Sequence, residues 1–185
     1  MRKLNVKGMQ LSLNGIIYLI FFSSLISCNE KSIDLDYCKM LSDDQSNVNW
    51  DKSNMMKFDD DKIKRNKKII NNFKLLIDES KINGFPRVNL DFSSPDSCKN
   101  RAVTMTMIHI AQINPNLFFG DKYSKLFKTE IDKGNLDKEL LRRSSIVCFR
   151  TEEICEFLKP KIEIALNLWD IHSSILKHAK FVKCE

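Results

Sequence analysis

Ala102 to Ile113, AVTMTMIHIAQI, decides the fold class. Val103, Met105 and Met107 alternate with threonines, as the buried face of a strand would. The run is too long for a typical strand, however, and Ser94-Pro95-Asp96 before it supplies a cap, a first-turn proline and an acid. The stretch therefore reads as a buried helix.

Working outward, the pattern stays helical. Upstream, Asp59-Asp60-Asp61 precedes Ile63, Ile69, Ile70, Phe73, Leu76 and Ile77 at helical spacing, and Gly84-Phe85-Pro86 ends that helix. Three aspartates at a helix start suit the positive end of its dipole, which is a simpler use for them than cation binding. Downstream, Asn114-Pro115 opens a helix with Phe119, Tyr123, Leu126, Phe127 and Ile131 inward, and Gly134 stops it. Leu136, Leu140, Leu141 and Val147 suggest a shorter helix. Leu158, Ile162, Ala165, Trp169, His172, Leu176 and Ala179 form a long stripe that predicts one last helix from about Pro160. Residues 33–41 suggest a first short helix and 42–57 a polar connection. The expectation is an all-α fold: a compact bundle of about five to six helices over residues 58–185, after a tether with a short helix at 28–57.

The start of the chain carries an address. Arg2, Lys3 and Lys7 precede the apolar run Gly15 to Ser27, which contains no charge. As a helix the run would be only about 20 Å long, short of the ~30 Å a bilayer core requires. It reads as a secretory signal. Its end, Leu25-Ile26-Ser27-Cys28, resembles the lipobox of bacterial lipoproteins: a leucine three before the cysteine and a small residue just before it. That resemblance implies cleavage of residues 1–27 and attachment of lipid (diacylglycerol, with acyl chains such as palmitate) to Cys28. Two or three long chains hold a protein durably, at about 0.8 kcal/mol per buried methylene. The expected location is the bacterial cell envelope, with the membrane as partner through Cys28. The signal holds three of the basic side chains and no acid, so its removal lowers the formal charge from +6 to +3. Nucleic acid is accordingly not an expected partner.

Export places the remaining cysteines, Cys38, Cys98, Cys148, Cys155 and Cys184, in an oxidising compartment. Five is odd, so one thiol lacks an internal partner, and two bridges allow many arrangements. Cys148 and Cys155 are the local pair, bridgeable if Phe149 to Glu153 forms a turn with Thr151 capping a new helix. No C-x-x-C pair occurs and the only histidines are His109, His172 and His178, which disfavours zinc.

Catalytic motifs are few. The glycines after the signal, Gly84, Gly120 and Gly134, build no phosphate-binding loop. Asp34-Leu35-Asp36 opens like a calcium loop but lacks its later ligands, and Ser174-Ile175-Leu176-Lys177 matches S-x-x-K without its companion motifs. No cofactor is implied. His109, in its apolar stretch, is the one weak catalytic candidate: a general base if a carboxylate such as Asp91 or Asp96 orients it, otherwise a satisfied core histidine. His172 reads as part of the final stripe.

Arg65-Asn66, Gly84-Phe85-Pro86, His109, Pro115-Asn116-Leu117-Phe118 and Lys133-Gly134 follow in that order. Over residues 60–147 this resembles a family of small bacterial domains of unknown function, which carry Gly-Trp-Pro, Gln-His-Ala-Asp, Asp-Arg and Tyr-Gly-Thr-Gln. Phe85 replaces the tryptophan, only His109 survives of the histidine motif, Arg142-Arg143 stands for Asp-Arg, and the last motif is missing. The resemblance implies a helical fold and no activity. The sequence thus points to a lipid-anchored helical module that binds another macromolecule, an immunity-type protein being one form. The alternative is a small envelope enzyme using His109.

Overall fold

The computed structural model describes residues 35–45, 58–90 and 97–184. The stretch that decides the fold class is helical: α3 runs Ser97–Ile113. From Cys98 to Ile113 only Arg101 is exposed, and Val103, Met107, Ile110 and Ala111 are fully buried. A helix covered on nearly every side needs neighbours on every side. α1 (Tyr37–Gln45), α2 (Phe58–Asn83) and α6 (Lys138–Thr151) all pack against it. The single turn α4 (Pro115–Phe118) follows it directly, then α5 (Asp121–Asp132) and α7 (Lys159–Leu168), which pack together. The described residues thus form an all-α fold with one small addition. Strands β1 (Glu153–Cys155) and β2 (Lys180–Val182) pair in parallel, Ile154 opposite Phe181.

Local chemistry sets the boundaries. Asp36 accepts from the Lys39 amide at 2.9 Å and opens α1. Asn114 accepts from the Leu117 amide at 3.0 Å and opens α4, with Pro115 in its first turn. Gly134, at φ +72°, closes α5 by a Schellman motif: its amide reaches Ile131 O and that of Asn135 reaches Glu130 O.

α7 corrects the expected long final helix. It stops at Leu168, because Asp170 takes φ +57° while its amide bonds Asn167 O and that of Ile171 bonds Leu166 O. This is the same motif with an aspartate where glycine is usual. Beyond it Ile171 and Ile175 turn inward, and His172 is exposed as the cap of a 3-10 helix, Ser173–His178. The apolar period continued past a point where the backbone had already reversed.

The core centres on aromatic rings. Trp169, fully buried, lies 5.7 to 5.9 Å from Phe118, Phe119 and Phe127, and its indole N–H donates to Ser124 O at 2.9 Å. Ser144 and Ser145, also buried, donate back to Leu140 O and Leu141 O, so their hydroxyls need no distant partner.

The cysteines pair differently from the local expectation. Cys38 bonds Cys98, joining the starts of α1 and α3, and Cys155 bonds Cys184, tying the chain end to β1. Cys148 is a buried free thiol. A Cys148–Cys155 bridge would need a turn at residues 149–153, but α6 stays helical to Thr151. Thr151 caps no new helix; its hydroxyl donates back to Val147 O. Burial, with Glu152 nearby, pushes the Cys148 thiol up to about 12.

Trp169→Ala should cost about 3–5 kcal/mol by creating a cavity at the ring cluster, read by urea denaturation. The Cys38→Ser/Cys98→Ser pair should lower stability by about 2–4 kcal/mol, since the bond closes the longer of the two loops, spanning 60 residues against 29. A smaller loss than for Cys155→Ser/Cys184→Ser would contradict that ordering.

Candidate functional site

Two polar constellations lie inside the fold. The first contains His109, the catalytic candidate. α3 carries its ring to the edge of the core, leaving the side chain 13% exposed beside Asp44 of α1, which is 2% exposed. Nδ1 stands 2.8 Å from both carboxylate oxygens. The hydrogen-bond geometry is met at Oδ1, and Oδ2 stays buried without a hydrogen bond. A carboxylate on Nδ1 orients an imidazole so that Nε2 carries the lone pair, the arrangement of a general base. Among the described residues His109 makes no other hydrogen bond, and no serine or cysteine lies in hydrogen-bond contact with it.

The same pair has a structural task. α1 is fastened to the domain by the Cys38–Cys98 bond, by the Asn72 side-chain amide on Met40 O at 3.0 Å, by Asp43 beside Lys68 and by Asp44 on His109. Asp44 sits one helical turn beyond buried Met40, and its spacing from that residue is the only sequence signal of its inward position. The carboxylates considered for His109 from the sequence, Asp91 and Asp96, lie outside the described residues, as do Cys28 and Asp34.

The second constellation is a knot around Glu130, whose side chain is 1% exposed. Its Oε2 accepts from the Phe85 amide at 2.8 Å and the Asn135 side chain at 2.9 Å, and Oε1 from Lys133 Nζ at 2.9 Å. Burial opposes ionisation, but the Phe85 amide, Asn135 and Lys133 outweigh it and hold the carboxyl below its ordinary range. Gly84 takes φ +79° here, and a Cβ on it would meet the Asn135 side chain at 2.5 Å. The Gly84-Phe85-Pro86 and Lys133-Gly134 motifs are therefore one junction between the ends of α2 and α5. A depression of about 340 Å³ lies over it, between Pro86–Val88 and Gly134–Asp137. Both Glu130 oxygens are already occupied, so the knot acts as a structural tie. An acid three residues after Phe127, on the buried face of α5, was its signal in the sequence.

The remaining candidates separate. Ser174 and Lys177 are both exposed, in the 3-10 helix. Arg142 and Arg143 both grip Glu139, whose carboxyl falls to about 2, through Arg142 first and against some burial. Among the described residues no group of three or more His, Cys, Asp or Glu side chains is placed to hold a metal, and no helix is long and apolar enough to cross a membrane. Neither family models, curated proteins nor solved structures give a match to the chain.

Glu130 gives a pH prediction. Its folded-state pKa is depressed, so its contribution is complete above the ordinary carboxylate value of 4.5 and is lost as pH falls through the folded value. Glu130→Gln should cost about 1–3 kcal/mol at neutral pH, and the gap from the unmodified protein should narrow on acidification below that value. A gap that is constant with pH would show that the charge contributes nothing.

Proposed function

We propose that this chain is a bacterial lipoprotein, held in the cell envelope by lipid on Cys28, whose helical domain binds another macromolecule. The observation that carries this reading is the cysteine pairing. Two disulfides join Cys38 to Cys98 and Cys155 to Cys184, and Cys148 is buried. Such bonds persist in oxidising compartments, in keeping with export. They leave two cysteines unpaired after the signal region: Cys148, sequestered in the core, and Cys28, the residue at the lipobox junction. Phe157 and Ile164 support a binding role: they are 68% and 61% exposed, in the 3-10 turn before α7 and on α7. Neutralisation of a toxin, as by an immunity protein, is one concrete form of such binding.

The Asp44–His109 contact favours a second reading, a small envelope enzyme in which Nε2 of His109 removes a proton from substrate.

Cys28→Ala should move the protein out of the detergent-extracted membrane fraction; full retention would refute lipid anchoring. A photo-crosslinker at position 157 should capture a defined envelope protein, with capture lost on Ile164→Lys. Absence of any crosslink, together with a hydrolytic activity abolished by His109→Gln in a folded protein, would favour the enzyme.

A further inference from the structure

The first half of α2 is built unlike the other helices. Lys62, Ile63 and Lys64 are all exposed. Three consecutive residues span more than half the circumference of a helix, so this turn projects beyond the packed core. Further along, Lys64, Lys67, Asn71 and Lys74 are exposed at spacings of three, four and three, which puts them on one face. Among the described residues Lys62, Lys64, Lys67 and Lys74 have neither an ion pair nor a hydrogen bond. The next residue on that face, Asp78, is neutralised by Lys81 at 2.6 Å. Ile63, 54% exposed, is an apolar side chain between Lys62 and Lys64, one turn after the acidic start of the helix at Asp59-Asp60-Asp61.

We infer that this face of α2, with Ile63 at its projecting end, docks on a bilayer of anionic phospholipid. The inference rests on the anchoring reading, because the anchor supplies the geometry. Tyr37 is nine positions after Cys28, a reach of about 30 Å fully extended, so a bilayer holding Cys28 is never far from α1. α1 in turn is bound to the basic segment: Asp43 lies 3.6 Å from Lys68, and Met40 O accepts from Asn72. Phosphate headgroups are the charge complement of an unpaired lysine row, and attraction to them decays within about 8 Å at physiological salt. Ile63 would enter the boundary between headgroups and acyl chains. One lipid attachment leaves a domain free to tumble on its tether; a second, electrostatic contact orients it.

The test uses the full mature lipidated protein carrying Asn71→Cys with an environment-sensitive thiol label. Position 71 is exposed, whereas Cys148 is buried and Cys38, Cys98, Cys155 and Cys184 are bonded. Emission should shift to the blue in phosphatidylcholine vesicles containing about one third phosphatidylglycerol, not in phosphatidylcholine alone, and should return at about 1 M salt. Lys64→Gln/Lys67→Gln/Lys74→Gln should lower the docked-to-undocked ratio by about a hundredfold, and the triple change to Glu by more. Equal emission in both vesicle types, or triple variants that dock like the parent, overturns the proposal. So does a salt-sensitive shift with duplex DNA and no response to anionic vesicles, which assigns the face to nucleic acid. Mass analysis of the Cys28 peptide reads the anchor separately. An acylated peptide with an indifferent label rejects docking alone; an unmodified peptide with a responding label rejects the anchor alone.

Discussion

Water must be kept from every side of α3, and most of the architecture follows from that requirement. Among its buried side chains Ala102, Val103, Met107 and Ala111 are small or flexible, and let α1, α2 and α6 approach from different directions. The covering helices differ in what holds them. α2 and α6 bring broad apolar faces that include Phe73, Leu76, Leu140 and Leu141. α1 is short, contributes Met40, with Leu35 just before it, and so relies on a disulfide, an amide and the Asp44–His109 contact. Short elements bury too little surface to stay docked by packing alone.

The legible parts of the fold were those written in local chemistry. Asn114-Pro115 opens a helix and Gly134 stops one, as expected, because a cap and a left-handed residue act within a few positions of themselves. The single helix expected between them is broken after Phe118, where Gly120 is extended and α5 begins anew at Asp121. The end of α7 was hidden for the complementary reason. Asp170 occupies a position where glycine would have announced the reversal, and the apolar spacing ran on through it. The disulfides were hidden because each joins segments far apart in sequence. His109 could be picked out as a titratable group in an apolar run, but not its partner, since Asp44 reaches it across 65 residues. Glu130 had a local signal, an acid at a core position, that only gains meaning once Phe85 is seen to donate to it.

These features share a direction. The tether and α1 lie at one end of the sequence with the exposed lysines of α2, and exposed Phe157 and Ile164 lie toward the other, in the segment that follows Cys155. Under the function proposed above, in which the module meets a surface through one part and a partner through another, rigidity between them would be an advantage. The Glu130 knot supplies some of it by joining the ends of α2 and α5.

The buried Cys148 thiol bears on the order in which the chain matures. In an unfolded chain it is the thiol nearest in sequence to Cys155, and nothing shields it from attacking the wrong sulfur. Once α6 packs against α3 and buries its own Cys148, a thiol pushed up to about 12 holds almost no thiolate at neutral pH, and exchange requires thiolate. Packing of α6 therefore acts as a lock on the correct connectivity. Oxidation that ran ahead of helix docking would trap mispaired chains, whereas oxidation that follows it finds only the native partners within reach.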